Sequence, residues 1–298
     1  MPRRLALAIA VGTAALGVGC GGGSVPSKPG VVRVVAAENF WGDIAEQIGG
    51  RHVEVTSIIS NPNSDPHLFE SDPRTAGAIA TAQVVIETGI GYDPFMDNAI
   101  AAVGYHGQRI VSAASSMGAL MPVVANPHLW YWTARIPRVA HAIAKQLSAI
   151  DPSDEAYFAG REAHFVRSLA PIRRTIAEIR HKYADAPVGY TERLPGYLLD
   201  AAGLKVASPE SFAQAIEDGN DPSPGDLLTF ERDIRDHTIK VLIYNAQVQD
   251  AATERLKQLA VSSGVPVVGM TETMPSTDAS FQAWQLRQAR ELLRALGG

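Results

Sequence analysis

The sequence predicts an α/β protein with two similar lobes, each containing a parallel sheet, joined by one long helix. Short β-branched runs alternate with helical stretches, which is typical of βαβ units. These runs fall into two sets separated by a long helical pattern, and 298 residues favour two domains at ~100–200 residues each. Ligands of open parallel sheets bind outside the carboxyl ends of the strands, so we expect the chemistry in the loops that follow the strands.

The first lobe is expected over residues 31–150 and the second over residues 187–298. The strands predicted in the first lobe are Val31–Ala36, Val53–Ile59, Val84–Glu87 and Arg109–Ser112. The strands predicted in the second lobe are Val188–Thr191, Lys205–Ala207, Ile239–Tyr244 and Pro266–Met270.

Residues 151–186 are predicted to connect the lobes, with a helix over Ser153–Tyr183. Asp151-Pro152-Ser153 supplies a start signal, and Pro187 follows the end. Pro171 should kink the helix or divide it. One face carries apolar residues at helical spacing, namely Phe158, Phe165, Leu169, Ile172, Ile176, Ile179 and Tyr183.

Residues 1–19 are predicted to be a secretory signal peptide. Arg3 and Arg4 precede the uncharged run Leu5–Val18, which is shorter than the ~20 residues needed to cross a bilayer. The alternative is a frayed N-terminal helix of a cytosolic protein. We therefore expect an exported protein whose signal peptide is removed.

Cys20 is the only cysteine, and residues 16–20 resemble a bacterial lipoprotein cleavage box, although Gly17 stands where Leu is usual. The resemblance implies that Cys20 carries lipid, with residues 20–30 as a flexible Gly- and Pro-containing tether. The expected location is the outer face of the cytoplasmic membrane, at the cell surface or in the periplasm.

Composition and motifs exclude several functions. Lys plus Arg number 26 against 31 for Asp plus Glu, and without a basic stripe we expect no nucleic-acid partner. Gly89-Ile-Gly91 lacks the third glycine of a dinucleotide site, and neither HExxH nor Gly-x-Ser-x-Gly is present.

Two segments share a local pattern that suits metal binding. Asp65-Pro66-His67 and Asn126-Pro127-His128 each place histidine after Asx-Pro and before Leu and an aromatic residue. Proline restricts the backbone just before an imidazole, and neutral imidazole is the commonest ligand for transition metals. The alternative for each is an imidazole hydrogen-bonded at a turn. The repeat of the pattern predicts that His67 and His128 are metal ligands.

These two motifs, in this order, resemble those of the metal-binding receptors of bacterial ABC importers for zinc, manganese or iron (solute-binding cluster A-I). The resemblance covers essentially the whole mature chain. It implies two lobes with a connecting helix and a metal site in the cleft between the lobes. It also implies a lipid anchor on the membrane and a membrane permease that receives the metal. We also expect a monomer.

The same resemblance implies two further ligands from the second lobe. Glu192 matches the third ligand position, because Thr191-Glu192 is followed by Pro195-Gly196-Tyr197; an exposed loop carboxylate is the alternative. Asp278 matches the fourth position, before a C-terminal helix for which it is also a good N-cap. Glu272 is the competing carboxylate.

His67, His128, Glu192 and Asp278 would offer two imidazoles and two carboxylates without a thiolate, which disfavours soft ions such as Cu(I). Two carboxylates offset the charge of a divalent cation. In the family, Glu at the third position is associated with manganese or iron, and the His-rich loop of many zinc receptors is absent here. We expect Zn²⁺ or Mn²⁺ rather than iron as the bound substrate.

Two alternative functions remain at this stage. A secreted metal-dependent hydrolase would need an open coordination position and a general base, whereas four protein ligands would close the site. A surface adhesion lipoprotein is the other alternative. The preferred expectation is a receptor that captures a divalent metal and is not an enzyme.

Overall fold

A computed structural model describes residues 30–61, 69, 72–104, 107–119, 126–248 and 250–297. It contains two four-stranded parallel sheets, which confirms the predicted class of two α/β lobes. The predicted signal peptide, Cys20 and all but the last residue of the tether lie outside the described residues. Within these ranges, no helix is both long and apolar enough to cross a membrane.

The first sheet has the strand order β2-β1-β3-β4. Its strands are β1 (Val32–Glu38), β2 (Val53–Ile59), β3 (Val84–Glu87) and β4 (Arg109–Ser112). The helices of this lobe are α1 (Asn39–Gly49), α2 (Pro73–Thr81), α3 (Pro94–Val103), α4 (Ala113–Met117) and α5 (Ile136–Ile150). Three of the four strands have the predicted bounds, because turn residues flank their β-branched runs closely.

The second sheet has the strand order β6-β5-β7-β8, after helices α6 (Glu155–Ser168) and α7 (Ala170–Tyr183) of the connection. Its strands are β5 (Pro187–Tyr190), β6 (Lys205–Val206), β7 (Leu242–Asn245) and β8 (Val267–Met270). Its helices are α8 (Gly196–Ala202), α9 (Glu210–Glu217), α10 (Pro224–Arg235), α11 (Ala251–Ser262) and α12 (Phe281–Ala295). Strand β7 begins three residues later than predicted, because Ile239 is buried without joining the strand ladder.

The connecting segment is not a single helix. A short 3-10 turn at Pro152–Asp154 leads into α6. The helix is then interrupted at Leu169, before α7 begins. Pro171 lies in the first turn of α7, where its missing N–H removes no helical hydrogen bond. The proline therefore divides the predicted helix in two.

Helix α1 of the first lobe forms hydrogen bonds with the segment between β8 and α12 of the second lobe. The side chain of Asn39 donates to the carbonyl of Met274 at 2.7 Å and accepts from its N–H at 3.1 Å. Nearby, the N–H of Phe281 donates to the carboxylate of Asp43 at 2.9 Å. The β8–α12 segment is thus attached to both lobes.

Aromatic rings beside these hydrogen bonds pack together into one core. The ring of Phe40 stacks on Trp284 of α12 with centroids 5.7 Å apart and lies 4.5 Å from the ring of Trp130. All three side chains are fully buried, within a hydrophobic cluster that includes residues of both lobes. The two lobes therefore share a core where α1 and α12 meet.

Candidate metal centre

Polar side chains collect where strands of the two sheets end. Asn245 is the last residue of β7, while Glu192 and Glu272 each follow their strand by two residues. Strands β5, β7 and β8 are neighbours and parallel, so their carboxyl ends lie at one edge of the sheet. All three side chains are buried. The three side chains therefore lie at the edge of a parallel sheet where ligands bind.

His128 enters this region from the first lobe with its imidazole fully buried. Its Nδ1 lies 2.6 Å from Oδ1 of Asn126, which also accepts from the N–H of His128. The Asn126 amide donates through Nδ2 to the carbonyl of Arg193 at 2.6 Å, so Oδ1 must be the acceptor. Nδ1 of His128 therefore carries the proton, and in the neutral ring Nε2 carries the lone pair.

Glu272 faces Nε2 of His128 from the second lobe. Its Oε1 lies 3.1 Å from Nε2 of His128. The N–H groups of Glu272 and Thr273 both donate to Oε1 of Gln247, at 2.7 and 2.9 Å. One residue earlier, the N–H of Thr271 donates to Oε1 of Gln288 at 2.8 Å. Two glutamines thus fix the backbone that carries the Glu272 carboxylate.

Glu192 is joined to Glu272 by the amide of Asn245. Nδ2 of Asn245 donates to Oε2 of Glu192 at 2.9 Å and to Oε2 of Glu272 at 3.3 Å. Glu192 is 5% exposed, so the alternative of an exposed loop carboxylate is wrong. The structure therefore brings His128, Glu192 and Glu272 into one connected polar cluster.

A further buried carboxyl group lies at the end of β1. Glu38 is fully buried, and its Oε2 accepts from the hydroxyl of Thr88 at 3.0 Å. Burial, followed by the nearby charge of Asp93, raises the pKa of Glu38 well above its usual range, and Glu272 raises it further. The region between the lobes is consequently rich in acidic groups, which favours a cation over an anion.

Aromatic side chains enclose the imidazole. The rings of Trp130 and Tyr92 lie edge-on to His128, with centroids 5.3 and 5.8 Å away. Both rings are fully buried, and their centroids lie 4.8 Å apart. These walls keep bulk water from the ring and strengthen the electrostatic interactions of the site.

Asp278 lies in a different setting from Glu272. Its carboxylate forms a two-point ion pair with Arg287, at 2.7 Å to Nη2 and 3.1 Å to Nε. This pairing raises the pKa of Arg287 above its usual value. The N-cap of α12 is Ser280, whose hydroxyl accepts from the N–H of Ala283. The carboxylate that contacts His128 is therefore that of Glu272, whereas Asp278 is committed to Arg287.

His67, the remaining predicted ligand, lies outside the described residues. Among the residues described, the one group whose ligand atoms all lie within 4.8 Å of one another is His52, Asp151 and Asp154. His52 directly precedes β2 and so lies at the amino edge of the first sheet. That edge is opposite to the one where ligands of parallel sheets bind.

Nε2 of His128 and Oε1 of Glu272 form a buried contact that a proton or a metal ion can bridge. A lone pair on Nε2 and a carboxylate oxygen at 3.1 Å repel each other unless a proton or a metal ion lies between them. Because the nitrogen and both carboxylates are buried, a divalent cation there would also neutralise charge that burial makes costly. The arrangement suits cation binding.

Sequence reasoning missed Asn245, Gln247 and Gln288. Each is an amide that binds backbone or carboxylate groups of the site, and none belongs to a recognisable motif. The one signal in the sequence was that Asn245 directly follows a predicted strand, because ligands of parallel sheets bind beyond the carboxyl ends of the strands.

Two parallel α/β lobes around a buried histidine–carboxylate cluster suit a protein that binds a cation between its lobes. Residues 34–295 match the family model described as the periplasmic component A of the zinc-uptake complex. Since this match spans most of the sequence, the chain belongs to that family.

Individual relatives are more distant. The chain is 31% identical over 137 residues to the manganese-binding lipoprotein MntA of Bacillus subtilis, a stretch that covers 44% of each protein. The periplasmic zinc-binding protein TroA of Treponema pallidum has the same fold, with a TM-score of 0.75 and 15% identity, covering 90% of this chain and all of that one. The Pseudomonas aeruginosa protein FpvC, solved with Mn²⁺, gives a TM-score of 0.73 at 22% identity, covering 89% and 98%.

Proposed function

We propose that this protein captures one divalent transition metal ion, Zn²⁺ or Mn²⁺, outside the cytoplasm and delivers it to an ABC-type membrane permease. The observation that carries this proposal is the 3.1 Å approach of the Glu272 carboxylate to Nε2 of His128 in a buried acidic cleft. The family match and the metal-binding names of the relatives support it. The role is binding rather than catalysis.

The proposed ligands are His67, His128, Glu192 and Glu272. Glu272 replaces Asp278 of the sequence-based expectation because it contacts His128, while Asp278 is bound by Arg287. The set still holds two imidazoles and two carboxylates. Its two negative charges match a divalent ion, and its oxygen and nitrogen donors suit zinc or manganese better than copper(I).

A pair of variants tests this assignment. Purified protein is stripped with a chelator, reloaded with Zn²⁺ or Mn²⁺, and analysed for bound metal and affinity. We expect wild type and Asp278→Asn to bind one metal per chain and Glu272→Gln to bind more than about tenfold more weakly. A wild-type chain that binds no metal would overturn the function. Normal binding by Glu272→Gln with loss in Asp278→Asn would instead restore Asp278 as the ligand.

The membrane attachment is a separate part of the proposal. We infer that residues 1–19 are removed and that Cys20 is acylated, which would place the receptor at the outer face of the cytoplasmic membrane. The lipoprotein name of the Bacillus relative supports this inference. In cells expressing Cys20→Ala, the protein should no longer incorporate a labelled fatty acid, and it should leave the membrane fraction. Unchanged labelling would contradict the lipid anchor.

A further inference from the structure

We propose that Glu217 is a positioning residue of the metal centre and acts through Arg193 on Asn126. The Asn126 side chain in turn orients the imidazole of His128. This inference rests on the proposed function, because it concerns the same site. It assigns to that site a carboxylate on helix α9 that is not one of the proposed ligands.

Glu217 holds both the main chain and the side chain of Arg193. Its Oε1 accepts from the N–H of Arg193 at 2.5 Å, while its Oε2 accepts from Nε at 2.8 Å and from Nη2 at 2.5 Å. The Glu217 side chain is 4% exposed and that of Arg193 is 13% exposed. Charge-assisted bonds of this kind are strong, and removal of one partner leaves the other charge uncompensated. Because Arg193 directly follows Glu192, the pair fixes the chain next to a proposed ligand.

The Arg193 carbonyl carries this restraint to the first lobe. It accepts from Nδ2 of Asn126 at 2.6 Å and from the N–H of Gly196 at 2.8 Å. The other end of the Asn126 amide, Oδ1, lies 2.6 Å from Nδ1 of His128. A continuous series of bonds therefore leads from Glu217 to the imidazole.

Packing around Asn126 leaves its side chain little room to shift. A Cβ atom added to Gly196 would lie 2.6 Å from Nδ2 of Asn126, so the amide fits there because that residue is glycine. The hydroxyl of Tyr197 donates to the Asn126 carbonyl at 2.8 Å, and the ring of Tyr197 stacks on Trp132 with centroids 4.9 Å apart. A movement of the Arg193 carbonyl would consequently break its bond to Asn126 or turn the amide away from the imidazole.

Glu217 also compensates a positive charge beside the site. Arg193 is next in the chain to Glu192, and a guanidinium released from Glu217 would attract the carboxylates that a cation needs. The ion pair commits this guanidinium to Glu217 instead. Loss of the Glu217 charge should therefore weaken cation binding through both position and charge.

The affinity of Glu217→Gln for metal provides the first test. Purified proteins are stripped with a chelator and titrated with Zn²⁺ and with Mn²⁺. We expect Glu217→Gln to bind about tenfold more weakly than wild type, as when a hydrogen-bond partner of a metal ligand is removed. Equal affinities would overturn the inference, whereas a wild type that binds no metal would overturn the proposed function instead.

Glu231→Gln is the matched control. Glu231 is also buried and pairs with two arginines, Arg235 and Arg255, but it lies between α10 and α11. Both variants should lose unfolding free energy in a denaturant titration, whereas Glu231→Gln should keep the wild-type affinity for metal. An equal loss of affinity in both variants would contradict the inference, because Glu217 would then act only through the stability of its lobe.

A double-mutant cycle tests the route through Arg193. Glu217→Gln and Asn126→Ala both act on His128 through one carbonyl, so the combined loss of affinity should be smaller than the product of the two single losses. Losses that multiply would contradict this route. Glu217→Asp, which keeps the charge on a shorter side chain, is the milder variant if Glu217→Gln does not fold. It should also bind metal more weakly than wild type, and unchanged affinity would overturn the inference.

Discussion

Nε2 of His128 and Oε1 of Glu272 lie 3.1 Å apart although 144 residues separate them in the chain. One belongs to the first lobe and the other to the connection between β8 and α12 of the second. A cation at this contact would therefore bind groups from both lobes. Occupancy of the site should stabilise the whole fold rather than one part of it.

Removal of metal should lower the unfolding temperature. A ligand that binds only the folded state stabilises it by RT ln(1 + [L]/Kd), which is about 2.7 kcal/mol at a hundredfold excess over Kd. Thermal unfolding is compared for chelator-treated protein and for the same sample with Zn²⁺ or Mn²⁺ restored. Identical melting curves for metal-loaded and metal-free wild type would contradict tight binding, and His128→Ala should show a reduced shift.

Substitution of Asn126 should weaken metal binding without removing a ligand. The Asn126 side chain fixes the tautomer of His128 through Nδ1 and ties it to the carbonyl of Arg193. Loss of such a partner of a metal-bound histidine costs about 10–100-fold in affinity. Asn126→Ala should show this loss by calorimetric titration, while the exposed Asn220→Ala should bind as wild type does. Equal affinities would argue against the tautomer assigned to His128.

Glu87, at the end of β3, should make stability depend on pH. Burial, followed by the charges of Asp93 and Asp97, raises its pKa to about 7. A carboxyl group with a raised pKa in the folded state contributes stability that is present below its ordinary pKa near 4.5 and is lost as the pH rises through 7.

Glu87→Gln, which stays neutral, should accordingly be more stable than wild type at pH 8, by about 1–2 kcal/mol after allowing for partial exposure. The advantage should vanish near pH 4.5. Urea unfolding at several pH values measures it, with the exposed Glu54→Gln as control. A constant difference across the range would show that Glu87 does not titrate as described.

Trp284 should be among the most costly residues to truncate. Its ring is fully buried against Phe40 of the other lobe, and its Nε1 donates to the hydroxyl of Thr271 at 2.7 Å. Trp284→Ala should lose about 3–5 kcal/mol of unfolding free energy in a denaturant titration. Leu228→Ala, at a position that is 60% exposed, should change it little. A small loss in Trp284→Ala would mean that the lobes do not depend on their shared core.

Local patterns were sufficient for most of the fold. β-Branched runs bounded by turn residues identified the strands, and Pro171 marked the division of the connecting segment. The start of β7 was misplaced because Ile239 is apolar and buried for packing rather than for strand pairing. A residue that is buried by packing and a residue that pairs in a buried strand are both apolar, so the sequence does not distinguish them.

The site was predictable in part. The sequence singled out the Asn126-Pro127-His128 motif and Glu192, and it favoured Asp278 over Glu272 as the fourth ligand, whereas the structure places Glu272 beside His128. The two candidates are carboxylates in one connection, and their difference depends on Arg287, whose guanidinium reaches Asp278 only once α12 has formed. Asn245 escaped notice because its role depends on two carboxylates that are distant in sequence.

The paired hydrogen bonds between Asn39 and Met274 join residues 235 positions apart. At synthesis rates of about 5–20 residues per second, the partner of α1 emerges roughly 10–50 s after α1 itself. During that interval the apolar face of α1, including Phe40, lacks its covering from α12. In the newly made chain, α1 can therefore pack against β1, β2, α5 and α6, whereas the face of the Phe40 ring that Trp284 will cover stays open until α12 has been synthesised.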